Sequence, residues 1–203
     1  IAERFLQKGA KVHICDVRGD AVAATLAANP GMSGSVTDVG VRAEVDALFD
    51  DVRANVGDLS VLVNVVGMAG PRAPIEDVDE DEWDKTIAVN LSGMFYTMKR
   101  AVPMLKANGG GSIVNFSTCS TRTGIPFRAP YIASKAGVAG LTKNSGRELG
   151  PSGVRVNATL PGSITNDRMR SIAQRNVDAT GRSFEDIEND YLKYVSLRCK
   201  VEL

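Results

Sequence analysis

The stretch "GSIVNFSTCSTRTGIPFRAPYIASKAGVAGLTKNSGRELG" (111–150) decides the fold. It opens with a short, largely apolar run, "GSIVNFS" (111–117), and closes with a long segment of helical period, "PYIASKAGVAGLTKNSGRELG" (130–150). The apolar run predicts a strand that is buried on both of its faces. Such a strand followed by a helix is the repeating unit of a parallel sheet that is covered by helices.

The same alternation of strand and helix extends in both directions along the chain. The other runs that predict strands are 10–16, 31–36, 59–65 and 154–160. The other segments of helical period are 20–29, 41–57 and 79–108, with capping signals at Asp79, Asp81, Gly57 and Gly150. This pattern predicts one doubly wound α/β domain over residues 1–203, whose ligands bind beyond the carboxyl ends of the strands. The polar, helical segment 163–203 is interpreted as an excursion from the sheet that forms a substrate lid.

Composition excludes several classes of function. The chain has 203 residues with 24 basic and 24 acidic side chains, so its net charge of zero argues against nucleic-acid and anionic-membrane partners. No apolar run approaches the roughly 20 residues that span a bilayer. Three widely spaced cysteines (Cys15, Cys119 and Cys199) predict reduced thiols in a cytoplasmic protein. The single histidine, His13, cannot build a zinc site, and no metal site is expected.

Two groups of residues suggest chemistry. Tyr131 and Lys135 are four residues apart in a predicted helix, which places the phenol and the ammonium on one face. The ammonium favours the ionised phenol and so suits it to general acid–base catalysis, although a solvated helix face fits the same pair. Asp16 ends a predicted strand, where its carboxylate can bind the ribose hydroxyls of an adenine nucleotide or act as a turn residue. Arg18 lies close enough to tolerate a 2′-phosphate.

Five motifs occur together in one order: "NVVG" (64–67), "VNLSG" (89–93), "GSIVNFST" (111–118), "YIASK" (131–135) and "GVRVNATLPG" (153–162). They resemble the motifs NNAG, VNxxG, GxIVNxSS, YxASK and RVNxxxPG of the short-chain dehydrogenase/reductase family. The resemblance covers essentially the whole chain. It implies a Rossmann-like fold and an enzyme that transfers a hydride between NAD(P) and a small secondary alcohol or its ketone. NAD is favoured over NADP because of Asp16.

The resemblance also implies catalytic roles. Tyr131 corresponds to the catalytic acid/base, and Lys135 to the lysine that assists it and binds the nicotinamide ribose. Asn90 is similar to the family asparagine that kinks its helix and supports a proton relay to the lysine. Thr118 stands at the position of the catalytic serine, with Ser120 as the alternative hydroxyl.

Further positions match the family's cofactor contacts. Besides Tyr131 and Lys135 they are Asp16, Val17, Ser35, Val36, Asn64, Gly67, Pro161, Gly162 and Ile164. The chain departs from the family pattern at Ser35, where an aspartate is usual, and at Val65, where a second asparagine is usual. Arg72, Arg122 and Arg128 are candidates to receive an anionic substrate, although solvated loop arginines fit them as well.

The family's Gly-rich phosphate-binding turn, TGxxxGxG, has no counterpart in the sequence. In the family strand order 3-2-1-4-5-6-7, the resemblance implies that the central first strand with this turn, and the last strand, are not among these residues. The leading hypothesis is an NAD-dependent oxidoreductase. The alternative is a catalytically inactive or truncated family member that acts as a binding or assembly subunit. Family members commonly pair the long helices that here lie around 81–107 and 131–149, so a homodimer or homotetramer is expected. These helices carry apolar residues such as Met94, Phe95, Met98, Val138 and Leu141.

Overall fold

The computed structural model describes residues 1–162 and 167–192. Strands and helices alternate along it, and each strand lies within two residues of its predicted bounds. The strands are β1 (Val12–Asp16), β2 (Met32–Val36), β3 (Val61–Asn64), β4 (Gly111–Phe116) and β5 (Val154–Thr159). The helices are α1 (Ala2–Gln7), α2 (Gly19–Ala28), α3 (Arg42–Asn55), α4 (Glu80–Ile87), α5 (Gly93–Ala107), α6 (Ala129–Leu149), α7 (Asp167–Thr180) and α8 (Phe184–Leu192). The last two lie in the segment that was predicted to form the lid.

The strands form two parallel sheets, one of order β1-β2 and one of order β3-β4-β5. This arrangement confirms the predicted α/β class with parallel strands. The break between β1 and β3 falls where the family strand order places its first strand. A cavity of about 540 Å³ lies there, lined largely by apolar side chains of β1, β3, α3 and α5. Because all strands of a parallel sheet end at the same edge, the loops after β3, β4 and β5 gather on one side of the larger sheet.

The hydrophobic core lies between the sheets and the helices α3, α5 and α6. Helix α3 contributes a stripe at helical spacing, and α5 contributes a second one that includes Met94 and Met98. Of the apolar residues on the two helices expected to pair between subunits, Met94, Met98 and Val138 are at most 4% exposed and belong to the core of their own chain. Phe95 on α5 is 45% exposed and stays available for a contact between subunits.

The predicted helix over 79–108 is in fact two helices joined by a wider turn. Asp79 caps α4 as predicted, since its Oδ1 atom accepts a hydrogen bond of 3.0 Å from the backbone N–H of Glu82. Residues Ala88–Ser92 then form a π-helical turn, which holds one residue more than an α-helical turn. Asn90 lies in this turn and is completely buried.

Gly93, directly after the π-helical turn, packs against the backbone of Val39. A Cβ atom at Gly93 would lie 2.8 Å from the carbonyl oxygen of Val39, which is too close for any real contact. We expect Gly93→Ala to lower the free energy of unfolding by about 1–3 kcal/mol, measured by urea denaturation. Gly140→Ala is the control, because a Cβ atom there meets nothing within 4 Å and alanine favours the helix. Equal stability of the two variants would contradict this packing.

Candidate active site

Lys135 is anchored to the end of β4 by its side chain and by its backbone. The Nζ atom donates a hydrogen bond of 2.8 Å to the carbonyl oxygen of Phe116, and the side chain is buried. In return, the hydroxyl of Ser117 donates a hydrogen bond of 2.8 Å to the carbonyl oxygen of Lys135. Helix α6 is therefore held against the carboxyl end of β4 at the residue that carries the ammonium.

Asn90 connects three elements through its amide. Its Oδ1 atom accepts a hydrogen bond of 2.8 Å from the backbone N–H of Met68, and its Nδ2 atom donates to the carbonyl oxygen of Met68 at 3.0 Å. The Nδ2 atom also donates to the hydroxyl of Ser134 at 3.0 Å. That hydroxyl in turn donates to the carbonyl oxygen of Tyr131 at 2.8 Å. The π-helical turn, the loop after β3 and the first turns of α6 are thus joined.

Gly67 is the point at which Asn90 and Lys135 meet. A Cβ atom at Gly67 would lie 3.1 Å from the Nζ atom of Lys135 and 3.2 Å from the Oδ1 atom of Asn90. A side chain at this position would therefore crowd both polar groups, and glycine lets the loop after β3 pass close to them. Tyr131 lies on α6 one helical turn before Lys135, so three of the predicted catalytic residues gather around this loop.

Thr118 and Ser120 lie together in the loop after β4. Thr118 is 8% exposed, and its Oγ1 atom is 3.4 Å from the hydroxyl oxygen of Ser120 and 3.4 Å from its backbone nitrogen. These contacts are long, so they leave the Thr118 hydroxyl able to bind a substrate oxygen. The loop after β5 lies alongside, because the carbonyl oxygen of Pro161 accepts from the backbone N–H of Cys119 at 3.2 Å. Gly162 adjoins Cys119 as well.

Asn64, a predicted cofactor contact, braces the centre of the sheet. Its Nδ2 atom donates to Asn115 at 2.9 Å, and its Oδ1 atom accepts from the hydroxyl of Thr97 at 2.8 Å. Asn115 also donates to the hydroxyl of Thr142 at 3.0 Å. Asn64 and Asn115 occupy paired positions on the two strands, so their side chains lie on the same face of the sheet. The buried network ties this face of β3 and β4 to helices α5 and α6. The sequence interpretation missed it, together with Ser134.

The predicted adenine side of the site lies at the ends of β1 and β2. Asp16 is half-exposed, accepts a hydrogen bond of 2.9 Å from the backbone N–H of Arg18, and lies 3.6 Å from the Nε atom of Arg18. Val17 and Val36 are more than 60% exposed. Burial, and then the charge of Asp16, raise the pKa of the Cys15 thiol to about 11, which keeps this neighbour unreactive.

Ser35 faces the protein's own side chains. Its hydroxyl donates to the Oδ2 atom of Asp51 at 2.6 Å and is 2.9 Å from the Nε2 atom of His13. The Nδ1 atom of His13 is 2.8 Å from the hydroxyl oxygen of Ser33. Desolvation lowers the pKa of His13, and the carboxylate of Asp51 opposes this effect. The Ser35 side chain therefore serves a hydrogen-bonded chain between β1, β2 and α3.

The remaining predictions concern Ile164 as a cofactor contact, metal sites and membrane-spanning segments. Ile164 lies outside the described residues. Within residues 1–162 and 167–192, no group of three or more His, Cys, Asp or Glu side chains is placed to hold a metal ion. In the same part of the chain, no helix has the length and apolar content that crossing a membrane requires.

Comparisons with known proteins agree with this arrangement. A family model described as enoyl-(acyl carrier protein) reductase matches residues 1–186. The chain is 35% identical over 178 residues to a 2-dehydro-3-deoxy-L-rhamnonate dehydrogenase (NAD(+)) of Sphingomonas sp. (strain SKA58), covering 88% of this chain and 72% of the relative. It is 50% identical over 108 residues to a trans-4-hydroxycyclohexanecarboxylate dehydrogenase of Sinomonas cyclohexanicum, covering 53% of this chain and 41% of the relative.

A solved structure shows the same architecture. The crystal structure of an actinorhodin polyketide ketoreductase variant with NADPH has a TM-score of 0.91 and 29% identity to the chain, covering 100% of this chain and 79% of that one. The relatives named here are dehydrogenases and a reductase. The family model and the ketoreductase structure both extend over the motifs around Asn90, Thr118 and Tyr131. The chain therefore belongs to the short-chain dehydrogenase/reductase family.

Proposed function

We propose that the protein is an NAD-dependent oxidoreductase that acts on a secondary alcohol or its ketone, with Tyr131 as the general acid/base. The observation that carries the proposal is the meeting of Asn90 and Lys135 at Gly67, one helical turn from Tyr131. The glycine keeps open the space beside the ammonium that a Cβ atom would fill, and the exposed carboxylate of Asp16 stands at the end of β1. Both features fit a nicotinamide dinucleotide.

The roles of the residues follow from their chemistry. The nicotinamide, when bound, donates or accepts the hydride. Tyr131 gives a proton to the substrate oxygen or takes one from it, and the neighbouring ammonium of Lys135 stabilises the phenolate that results. The hydroxyl of Thr118 donates a hydrogen bond to the same oxygen and orients the reacting carbon. Asn90 holds the loop that approaches the ammonium.

The choice of cofactor and substrate class rests on two further points. Asp16 suits a free 2′-hydroxyl and repels a 2′-phosphate, and one relative is named for NAD(+). Two relatives carry carboxylates in the names of their substrates, so hydroxy acids belong in the first substrate panel. We also infer from the family resemblance that one domain over 1–203 works as a homo-oligomer in the cytoplasm, with 163–203 as the lid.

The first prediction concerns Tyr131. Tyr131→Phe removes the proton donor and keeps the ring, so we expect the turnover number to fall by at least about a hundredfold. Binding of NADH, followed by its fluorescence, is expected to stay within a factor of about two, because the loop and Lys135 are unchanged. If the wild-type protein binds no NADH, the alternative of an inactive binding subunit is favoured instead.

The second prediction concerns Thr118. We expect Thr118→Ser to keep most of the activity, because the hydroxyl is retained, and Thr118→Val to lose about tenfold to a hundredfold in kcat/KM. Valine has almost the shape of threonine, so the pair separates the hydroxyl from the packing. A fully active Thr118→Val variant would assign the role to Ser120.

The third prediction concerns Asp16. Asp16→Ala removes the repulsion of a 2′-phosphate and releases Arg18, so the ratio of kcat/KM for NADP to that for NAD is expected to rise at least about tenfold. Asp20→Ala, at an exposed position on the next helix, controls for the change in net charge. An unchanged ratio in the Asp16 variant would refute its role in cofactor choice.

A further inference from the structure

The loop after β3 is attached to the start of α6 at several points. Arg128, the residue before the helix, donates from its Nη1 atom to the carbonyl oxygens of Ala69 at 3.2 Å and Gly70 at 3.1 Å. The backbone N–H of Ala73 donates to the carbonyl oxygen of Phe127 at 3.2 Å. Residues 68–73 therefore run beside the segment that leads into Tyr131.

This attachment fixes the backbone of the loop. Phe127 has a φ of 65°, a left-handed conformation that a bulky residue rarely adopts and that costs free energy. It is retained where the surrounding hydrogen bonds determine the backbone, as they do here through Ala73 and Arg128. The loop consequently presents Arg72, which adjoins Ala73, from a defined backbone position.

Arg72 bridges from this loop to helix α7. Its Nη1 atom donates a hydrogen bond of 2.7 Å to the Oδ1 atom of Asn176, a side chain that is 9% exposed. Arg72 thus connects the loop beside the start of α6, which carries Tyr131, to a helix of the segment predicted to be the lid. In the proposed function the reacting carbon lies at Tyr131, so the rest of the substrate can reach the loop that carries Arg72.

The partner of Arg72 orients the guanidinium without neutralising it. Asn176 is a neutral amide, and none of the ion pairs formed by residues 1–162 and 167–192 includes Arg72. The guanidinium has five N–H donors, and the bond to Asn176 goes through Nη1. The Nε and Nη2 atoms form the edge that binds a carboxylate through two parallel hydrogen bonds.

We propose that Arg72, held by Asn176, binds a carboxylate of the substrate and makes the enzyme selective for hydroxy acids and keto acids. The proposal rests on the proposed function for the location of the reacting carbon. It assigns Arg72 a role in specificity and leaves proton transfer to Tyr131. Substitutions at Arg72 should therefore act on substrate affinity and not on the chemical step.

The test compares two ligands that have nearly the same shape and differ in charge, cyclohexanecarboxylate and cyclohexanecarboxamide. Their affinities for the protein in the presence of NADH are measured by isothermal titration calorimetry. We expect the wild-type protein to prefer the carboxylate by at least about tenfold, Arg72→Lys to keep part of this preference, and Arg72→Gln to lose it. Arg147→Gln, an exposed arginine near the other end of α6, is the matched control and should change nothing.

A second variant separates charge from attachment of the lid. Asn176→Asp keeps the size of the side chain and strengthens its contact with Arg72, but it neutralises the guanidinium. If Arg72 only holds α7, ligand binding will stay the same or improve. If Arg72 binds the carboxylate, the preference will fall about as far as in Arg72→Gln, and this result stands even if Arg72→Gln folds poorly.

Three outcomes would overturn the inference: no preference in the wild-type protein, a preference that survives Arg72→Gln, or one that disappears instead in Arg122→Gln. The binding measurement needs no turnover, and it is repeated in Tyr131→Phe, where the preference should persist. A failure of the proposed catalytic role is thereby distinguished from a failure at Arg72.

Discussion

The burial of one ammonium organises the candidate active site. Lys135 is 5% exposed, and a buried charge is costly unless hydrogen-bond acceptors surround it. The carbonyl of Phe116 is such an acceptor, and it lies in the right place because β4 ends there. Ser117 completes the attachment from the other side. The orientation of α6, and with it that of Tyr131, depends on this contact between a strand end and a helix.

The sequence predicted the elements better than the contacts between them. Short apolar runs and capping residues such as Asp79 locate strands and helix starts, because these depend on neighbours in the chain. The periodicity of α5 shows that the helix has an apolar face but not what covers it, and the structure places Met94 and Met98 of that face in the core of the chain. The bridge from Arg128 to Ala69 and Gly70 spans almost sixty residues, a separation at which a single sequence carries no signal.

The two halves of the site differ in how far motifs describe them. Around Tyr131, residues of different motifs contact one another: Asn90 donates to the hydroxyl of Ser134, which donates to the backbone carbonyl of Tyr131. At the ends of β1 and β2, Ser35 stands where the family usually has an aspartate. Its hydroxyl forms hydrogen bonds with His13 and Asp51 of the same chain. Asp16, the last residue of β1, presents a half-exposed carboxylate to the solvent.

The π-helical turn at Ala88–Ser92 also sets the phase of the helix that follows it. One residue corresponds to about 100° of rotation around a helix axis, so the additional residue rotates α5 by that angle relative to a continuous helix. Without this rotation Met94 and Met98, which are buried, would leave the core. The same insertion brings the amide of Asn90 inward to Met68. Conversion of this turn to α-helical hydrogen bonding, with every residue retained, would therefore disturb the loop after β3 and the hydrophobic interior at once.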